Sequence, residues 1–510
     1  NGVLHSIKGG AVADFDVVRG SAATRVNAEG LIEDIRIISG ELVTNGGFDA
    51  DTSWTKQTGW SISGGSANCN ITTESYRSIK QNALTIGKTY KVTFSITSYT
   101  SGSLRVSTGS VANGIIRASI GTYTEYLTCS GNNELAVYTW GSFVGSIDNI
   151  SVVEVIDATN IPRIDYTDGT ASLLLEPQST NRITHSEDFS NATWSKVSSN
   201  ITINNQISPD GTQNASLMTS TSAGSYISDS LATYDPSNFS IFVKYVDQQF
   251  VQLYSGASGN FYATFDIQNQ VIGASGALTS NLKIENYGNN WYRISCVFTG
   301  IAVGSSVRIG FAQSLTSTWG ALNASGGASL LLYGAQLEEN TYPTSYIPTS
   351  GAIATRLADV VTGAGDATTF NSTEGVLYFE GAALSNVNDK RISISDGTIS
   401  NYVSIGYSRF TGNIVAEIFS NGVSQNPNWG ATGVTQVNNN KFALSWGNGT
   451  MKFYVNGLQA LTETITSPIG LNLLDFRAGN GTLPFYGKVK SVITFNTALT
   501  DAELTCLTTI

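Results

Sequence analysis

The sequence predicts an all-β chain built of several antiparallel β-sandwiches. Three observations carry that prediction. Apolar and polar residues alternate with period two at 90–97, 103–108, 239–246, 291–298, 376–381 and 451–457, the pattern of strands with one buried face. Helical periodicity is confined to 500–507, where Thr500 and Glu503 have the spacing of a capping box. An opening phrase also occurs twice, as VTNGGFDADTSWTK from residue 43 and ITHSEDFSNATWSK from residue 183. In each, a β-branched pair precedes Phe48 or Phe189, an acidic turn follows, and Trp54 or Trp194 stands two residues before Lys56 or Lys196. A repeated start marks a repeated domain.

Composition agrees. The 510 residues contain 52 Gly against 9 Pro, with 41% apolar and only 13% charged residues, which suits short strands joined by turns and argues against disorder. The net charge of −11 disfavours nucleic acid as a partner, since phosphate binding needs clustered Lys and Arg. No apolar run is long enough for a membrane-spanning helix, so no membrane insertion is expected. Four scattered cysteines (Cys69, Cys129, Cys296 and Cys506) form no disulfide framework. A Cys69–Cys129 bond is one reading; free buried thiols are the favoured one. Two histidines, His5 and His185, and no CxxC pair make zinc improbable.

The expected domains follow in order. Residues 1–40 and 157–182 each read as a few strands with turns, at Arg19-Gly20 and Glu29-Gly30 in one and Asp168-Gly169 in the other. Neither can bury a core alone, so together they are expected to form a small split β-module. Residues 41–156 then form an inserted sandwich and 183–350 a second one. A third covers 351–510, where Asn448-Gly449 marks a hairpin turn.

Both repeated openings resemble carbohydrate-binding jelly rolls that begin NGGF…W. The segments FALSWGNGTMKFYVNG (442–457) and FYGKVKSVITFNTALTDAEL (485–504) resemble concanavalin A-like, laminin G-type sandwiches. Taken together, ATRVNAEGLIEDI, PRIDYTDGTASLLLEPQSTNRI, WYRISCVF, GAQLEENTYPTSYIPT and ATRLADVV resemble the modular tail, fibre or head-fibre proteins of tailed phages. The resemblance implies a virion-surface protein that attaches to host polysaccharide and associates with other virion proteins. It also implies a homo-oligomer, with a trimer favoured. No heptad stretch is present to enforce trimers, so sandwich faces would have to supply the contacts. A polysaccharide depolymerase and a purely structural decoration or head-fibre protein are the rivals.

Sugars stack on aromatic faces while polar groups fix their hydroxyls. The candidates in the first sandwich are Trp60, Tyr76, Arg77, Tyr99, Arg105 and Trp140. In the last domain the candidate is Trp429, within the polar loop 420–433. For each, sheet or core packing is the plain alternative. Trp54 and Phe48 are set aside as core because they recur in the second opening, and Trp446 because it alternates with Phe442 and Leu444. No cofactor is required. The jelly-roll resemblance implies a structural Ca2+ where the opening turn meets the last strand, here Asp49 or Asp51 with Asp148, and Glu187 or Asp188 with Glu338 in the second module. No catalytic residue is assigned, because the carboxylates of the last domain are scattered and no GxSxG or phosphate loop occurs.

Overall fold

The computed structural model describes residues 2–4, 14–156, 160–229, 235–256, 258–302, 304–323, 325–386, 389–408, 413–425 and 433–510. The chain is all-β, with antiparallel sheets throughout and the helix Asp501–Thr508 near its end. It divides into two compact units, Asp34–Ala158 and a unit made of Asn1–Glu33 with Thr159–Ile510.

The smaller unit is organised by two long strands, Thr89–Ser110 and Gly131–Val155, paired with each other along most of their length. Breaks in register between Thr139 and Phe143 and between Asp148 and Ser151 bend this ribbon, as bulges do. Strand Gly121–Thr128 extends one part of it, and Ala67–Ile71 and Ser78–Asn82 pair with the other. Inward residues such as Val92, Phe94, Leu104, Val137 and Phe143 fill the core. Phe48 and Trp54 of the opening join them, with ring centroids 5.2 Å apart. Gly46 has a steric reason: a Cβ there would meet the Ile150 carbonyl oxygen at 2.0 Å, where the opening crosses the last strand.

The second opening is built the same way inside the larger unit. Phe189 and Trp194 lie 5.1 Å apart. Trp194 Nε1 donates to His185 O at 2.9 Å, as Trp54 Nε1 donates to Asn45 O at 2.9 Å. This shared core packing starts a sandwich of two six-stranded sheets. Their facing apolar residues, among them Ile241, Leu253, Phe265, Ile294 and Ile309, form one cluster.

The last sandwich faces a sheet containing Gly375–Ala383, Asn440–Gly447, Thr450–Val455 and Gly487–Phe495 with a five-stranded sheet around Tyr402–Tyr407. Asn448 and Gly449 adopt φ of 50° and 71°, as a primed hairpin turn requires. The capping box at Thr500 and Glu503 is present.

The two stretches expected to form a separate split module lie side by side but do not close into a module of their own. Tyr166 N–H donates to Val26 O, and Asn160 N–H to Arg19 O. Their strands extend the last sandwich instead. Ser172–Leu175 and Gly2–Leu4 both pair with Gly487–Phe495, and Asp16–Val18 pairs with Val360–Thr362. Phe15, Leu173 and Leu175 enter the same core. The physical reason is the one that made them too small to stand alone: a strand of three or four residues must borrow both a partner and a core.

A buried ion cluster locks this junction. Asp359 accepts from Arg19 Nη1 at 2.6 Å, from Glu176 N–H at 2.8 Å and from Arg163 Nη2. Glu176 in turn pairs with Arg163 at 2.6 Å and Arg356 at 2.7 Å. Burial alone would raise the Glu176 carboxyl, but Arg356 and Arg163 hold it down at about 2. All four cysteines are free; Cys69, Cys129 and Cys296 are buried, whereas Cys506 is exposed.

Candidate functional site

One bulge in the smaller unit aims an aromatic cluster outward. Opposite Gly102–Leu104, the strand from Thr139 to Phe143 carries extra residues. Gly141 takes a φ of 86°, which L side chains rarely adopt, and Trp140 is left 41% exposed. The neighbouring loop is clamped to the bulge. Ser75 N–H donates to Gly141 O at 3.0 Å, Thr139 N–H to Arg77 O at 3.0 Å, and Thr139 Oγ1 to Ser75 O at 2.5 Å. Tyr76, 55% exposed, is thereby held edge-on to Trp140, with centroids 5.3 Å apart at 74°.

Arg105 completes the cluster. It stands opposite Tyr138 on the adjacent strand, with its guanidinium carbon 4.0 Å from the Trp140 centroid and 5.0 Å from that of Tyr138. No carboxylate pairs with Arg105 among the described residues, and its buried Nε has no hydrogen-bond partner. The guanidinium is positioned by aromatic faces, an arrangement worth about 0.5–1 kcal/mol at exposed sites, and keeps donors for a ligand. Rigid aromatic faces beside an unpaired planar cation can stack a sugar ring and hydrogen-bond its hydroxyls or carboxylate.

Of the residues predicted from sequence, Tyr76, Arg105 and Trp140 come together, with Arg77 exposed on the adjoining loop. Trp60 does not join them. It is 6% exposed within the core, and its Nε1 donates to Arg77 O at 3.2 Å. Trp60 thus supports the loop from beneath and offers no face to a ligand. Tyr99 is half-buried, donates to Gly102 O at 3.2 Å and packs near Phe143, so it braces the bulge's partner strand. Trp429 lies outside the described residues. Tyr138, which the sequence reading passed over, belongs to the cluster; its place two residues before Trp140, hence on the same face of the strand, was the available signal.

The carboxylates expected to hold calcium have the following surroundings. Asp51 is engaged with Lys56. Burial pushes the Asp148 carboxyl up, and nearby Asp49 adds to the shift. Glu187 accepts from the Tyr333 and Tyr346 hydroxyls, Asp188 from Ser190 N–H, and Glu338 from Ser179 and Thr344. Among the described residues no group of three or more His, Cys, Asp or Glu is placed to hold a metal ion.

Comparison with known proteins assigns this chain no family. No family model matches the chain, and no curated protein matches it. Similar solved structures include domain 4 of AbnA, a GH43 extracellular arabinanase from Geobacillus stearothermophilus, in complex with arabinotriose. That match has 16% identity and a TM-score of 0.26, and covers 33% of this chain and 84% of that one. The CBM40 of Ruminococcus gnavus IT-sialidase, bound to α2,3-sialyllactose, has 18% identity and a TM-score of 0.24, covering 29% and 93%. Domains LG4-5 of the mouse laminin α1 chain have 9% identity and a TM-score of 0.20, covering 68% and 96%. At such scores the likeness assigns no ligand or activity to this chain.

Proposed function

We propose that this chain is a carbohydrate-binding surface protein of a tailed-phage virion that retains host polysaccharide without cutting it. The observation that carries the binding reading is the cluster of Trp140, Tyr76, Tyr138 and the unpaired Arg105 on a rigid sheet. Exposed aromatics positioned by a bulge and by three backbone-directed hydrogen bonds are poorly explained by core packing, and their spacing suits a sugar ring. The virion reading rests on the ordered phrases shared with phage fibre and head-fibre proteins. A single open site of this kind binds weakly, and repetition over a symmetric particle supplies avidity; a trimer would fit that need.

Binding without hydrolysis is favoured because, among the described residues, the acid that lies against the bulge is the single Glu74, beside Gly141, whereas glycoside hydrolysis uses a pair of carboxylates. Retention of host cells or purified polysaccharide on the immobilised chain tests the proposal, with Trp140→Ala and Arg105→Ala as controls. Release of reducing ends or unsaturated products would transfer the chain to the depolymerase rival. Immunogold labelling of virions tests its location.

A further inference from the structure

The outer face of the second sandwich repeats the chemistry of the Arg105 cluster. Arg308 stands opposite Tyr254 on the adjacent strand, as Arg105 stands opposite Tyr138. Its guanidinium carbon lies 5.1 Å from the Tyr226 centroid and 5.6 Å from that of Tyr254. Trp319, 38% exposed, meets Tyr254 edge-on at 6.2 Å and 87°, the place Tyr76 takes against Trp140. Its Nε1 donates to Ser255 O at 2.8 Å, which fixes the ring. Gly256 leaves room for the cation: a Cβ there would meet Arg308 Nη2 at 2.6 Å.

Most arginines of this chain are paired, and these two are not. The chain is acidic, and among the described residues nine arginines have a carboxylate partner. Arg105 and Arg308 have none among the described residues, although carboxylates are in excess; the same is true of Arg77 on the loop beside Trp140 and of Arg293, which is buried. Arg105 is held instead by the faces of Trp140 and Tyr138, and Arg308 by tyrosine faces and by its Nε donating to Ser306 Oγ at 3.2 Å. A stacked guanidinium keeps its planar fork of donors for a carboxylate, which it binds through charge-assisted, often bidentate hydrogen bonds. The overall negative charge does not forbid this, because exposed charges are screened beyond about 8 Å at physiological ionic strength.

We infer that Arg308, Tyr226 and Trp319, backed by the buried Tyr254 (2% exposed), form a second carbohydrate site, and that both arginine–aromatic sites take carboxylate-bearing sugar units of an acidic polysaccharide. The inference rests on the reading of the Arg105 cluster as a sugar site and adds to it a second location and a ligand class. An acidic polymer that offers a carboxylate at each repeat could then be held at two places by one chain.

The test is calorimetric titration of the full chain with oligogalacturonate, oligoalginate and hyaluronan oligosaccharides, each beside its carboxyl-reduced neutral counterpart. The inference expects two sites per chain for at least one acidic ligand. Arg308→Ala and Arg105→Ala each remove one site, and the double variant removes both. Gly256→Val, which crowds the guanidinium without removing it, weakens the Arg308 site alone. Carboxyl reduction weakens binding by about tenfold or more, the scale of a hydrogen bond to a charged group. Equal binding of acidic and neutral ligands would overturn the ligand class while leaving sugar binding intact. One site that survives Arg308→Ala unchanged would overturn the second location alone. Absence of binding to every acidic ligand would overturn the inference, and neutral binding sensitive to Trp140→Ala would still uphold the function proposed above.

Discussion

Replacing Asp359 by Asn tests whether the buried ion cluster holds the N-terminal and connecting segments on the last sandwich. Asp359 receives donors from Arg19, Arg163 and the Glu176 backbone, and Arg19, Arg163 and Asp359 are almost completely buried. An amide keeps the shape but removes the charge and turns one acceptor into a donor that faces donors already present. Breaking a buried pair in this way costs about 3–5 kcal/mol, because the partner cations stay buried and uncompensated. The larger unit spans roughly 385 residues, so its unfolding entropy at ~2.1 cal/mol/K per residue is about 0.8 kcal/mol/K. If the unit melts cooperatively, its transition should fall by about 4–6 °C in scanning calorimetry at pH 7. The transition of the smaller unit should not move. A fall of less than about 1 °C, equivalent to under ~1 kcal/mol, would refute the claim that the cluster secures this junction.

Three further outcomes follow from named groups. Glu176 is held at about 2, against ~4.3 when unfolded. Its depressed folded value means a stabilising contribution that is complete above the unfolded pKa and lost as pH falls toward 2; Glu176→Gln should flatten the acid limb of the larger unit's stability profile across that window. Trp60→Ala should destabilise the smaller unit by about 3–5 kcal/mol as a core truncation, while Trp140→Ala should leave its melting temperature nearly unchanged; the reverse ranking in thermal melts would exchange their roles. Asp148 has a raised carboxyl, so its ionised form at neutral pH opposes folding, and Asp148→Asn should raise the melting temperature in calcium-free buffer. A fall in calcium-containing buffer only would show instead that this carboxylate holds a cation.

Local signals were legible in the sequence, and distant ones were not. The hairpin at Asn448-Gly449, the capping box at Thr500 and the two openings each depend on residues within about ten positions, so spacing alone reveals them. Trp60 was misassigned although its strand carried the answer: Trp60, Ser61 and Ile62 alternate buried, exposed, buried, which puts the Trp on the face of Ile62. Trp140 was singled out because polar residues bound its YTWGS segment, and the structure leaves it exposed at the bulge. The ion cluster was illegible, since Arg19 and Asp359 are 340 residues apart and nothing local announces a buried charge. The split segments looked like a module because their turns are visible, whereas the strands they pair with lie more than three hundred residues later. Arg308 was missed because its aromatic partners arrive from two other strands and a loop.

The central claim is that an aromatic–arginine cluster on the smaller unit binds polysaccharide. The most direct measurement is the affinity of the full chain for purified host surface polysaccharide, compared with Trp140→Ala and Arg105→Ala under identical buffer and temperature. The account predicts that each substitution weakens binding by about 1–2 kcal/mol, roughly fivefold to thirtyfold, with no product released and no change in melting temperature. Undiminished binding by both variants, with their folds intact, would contradict it.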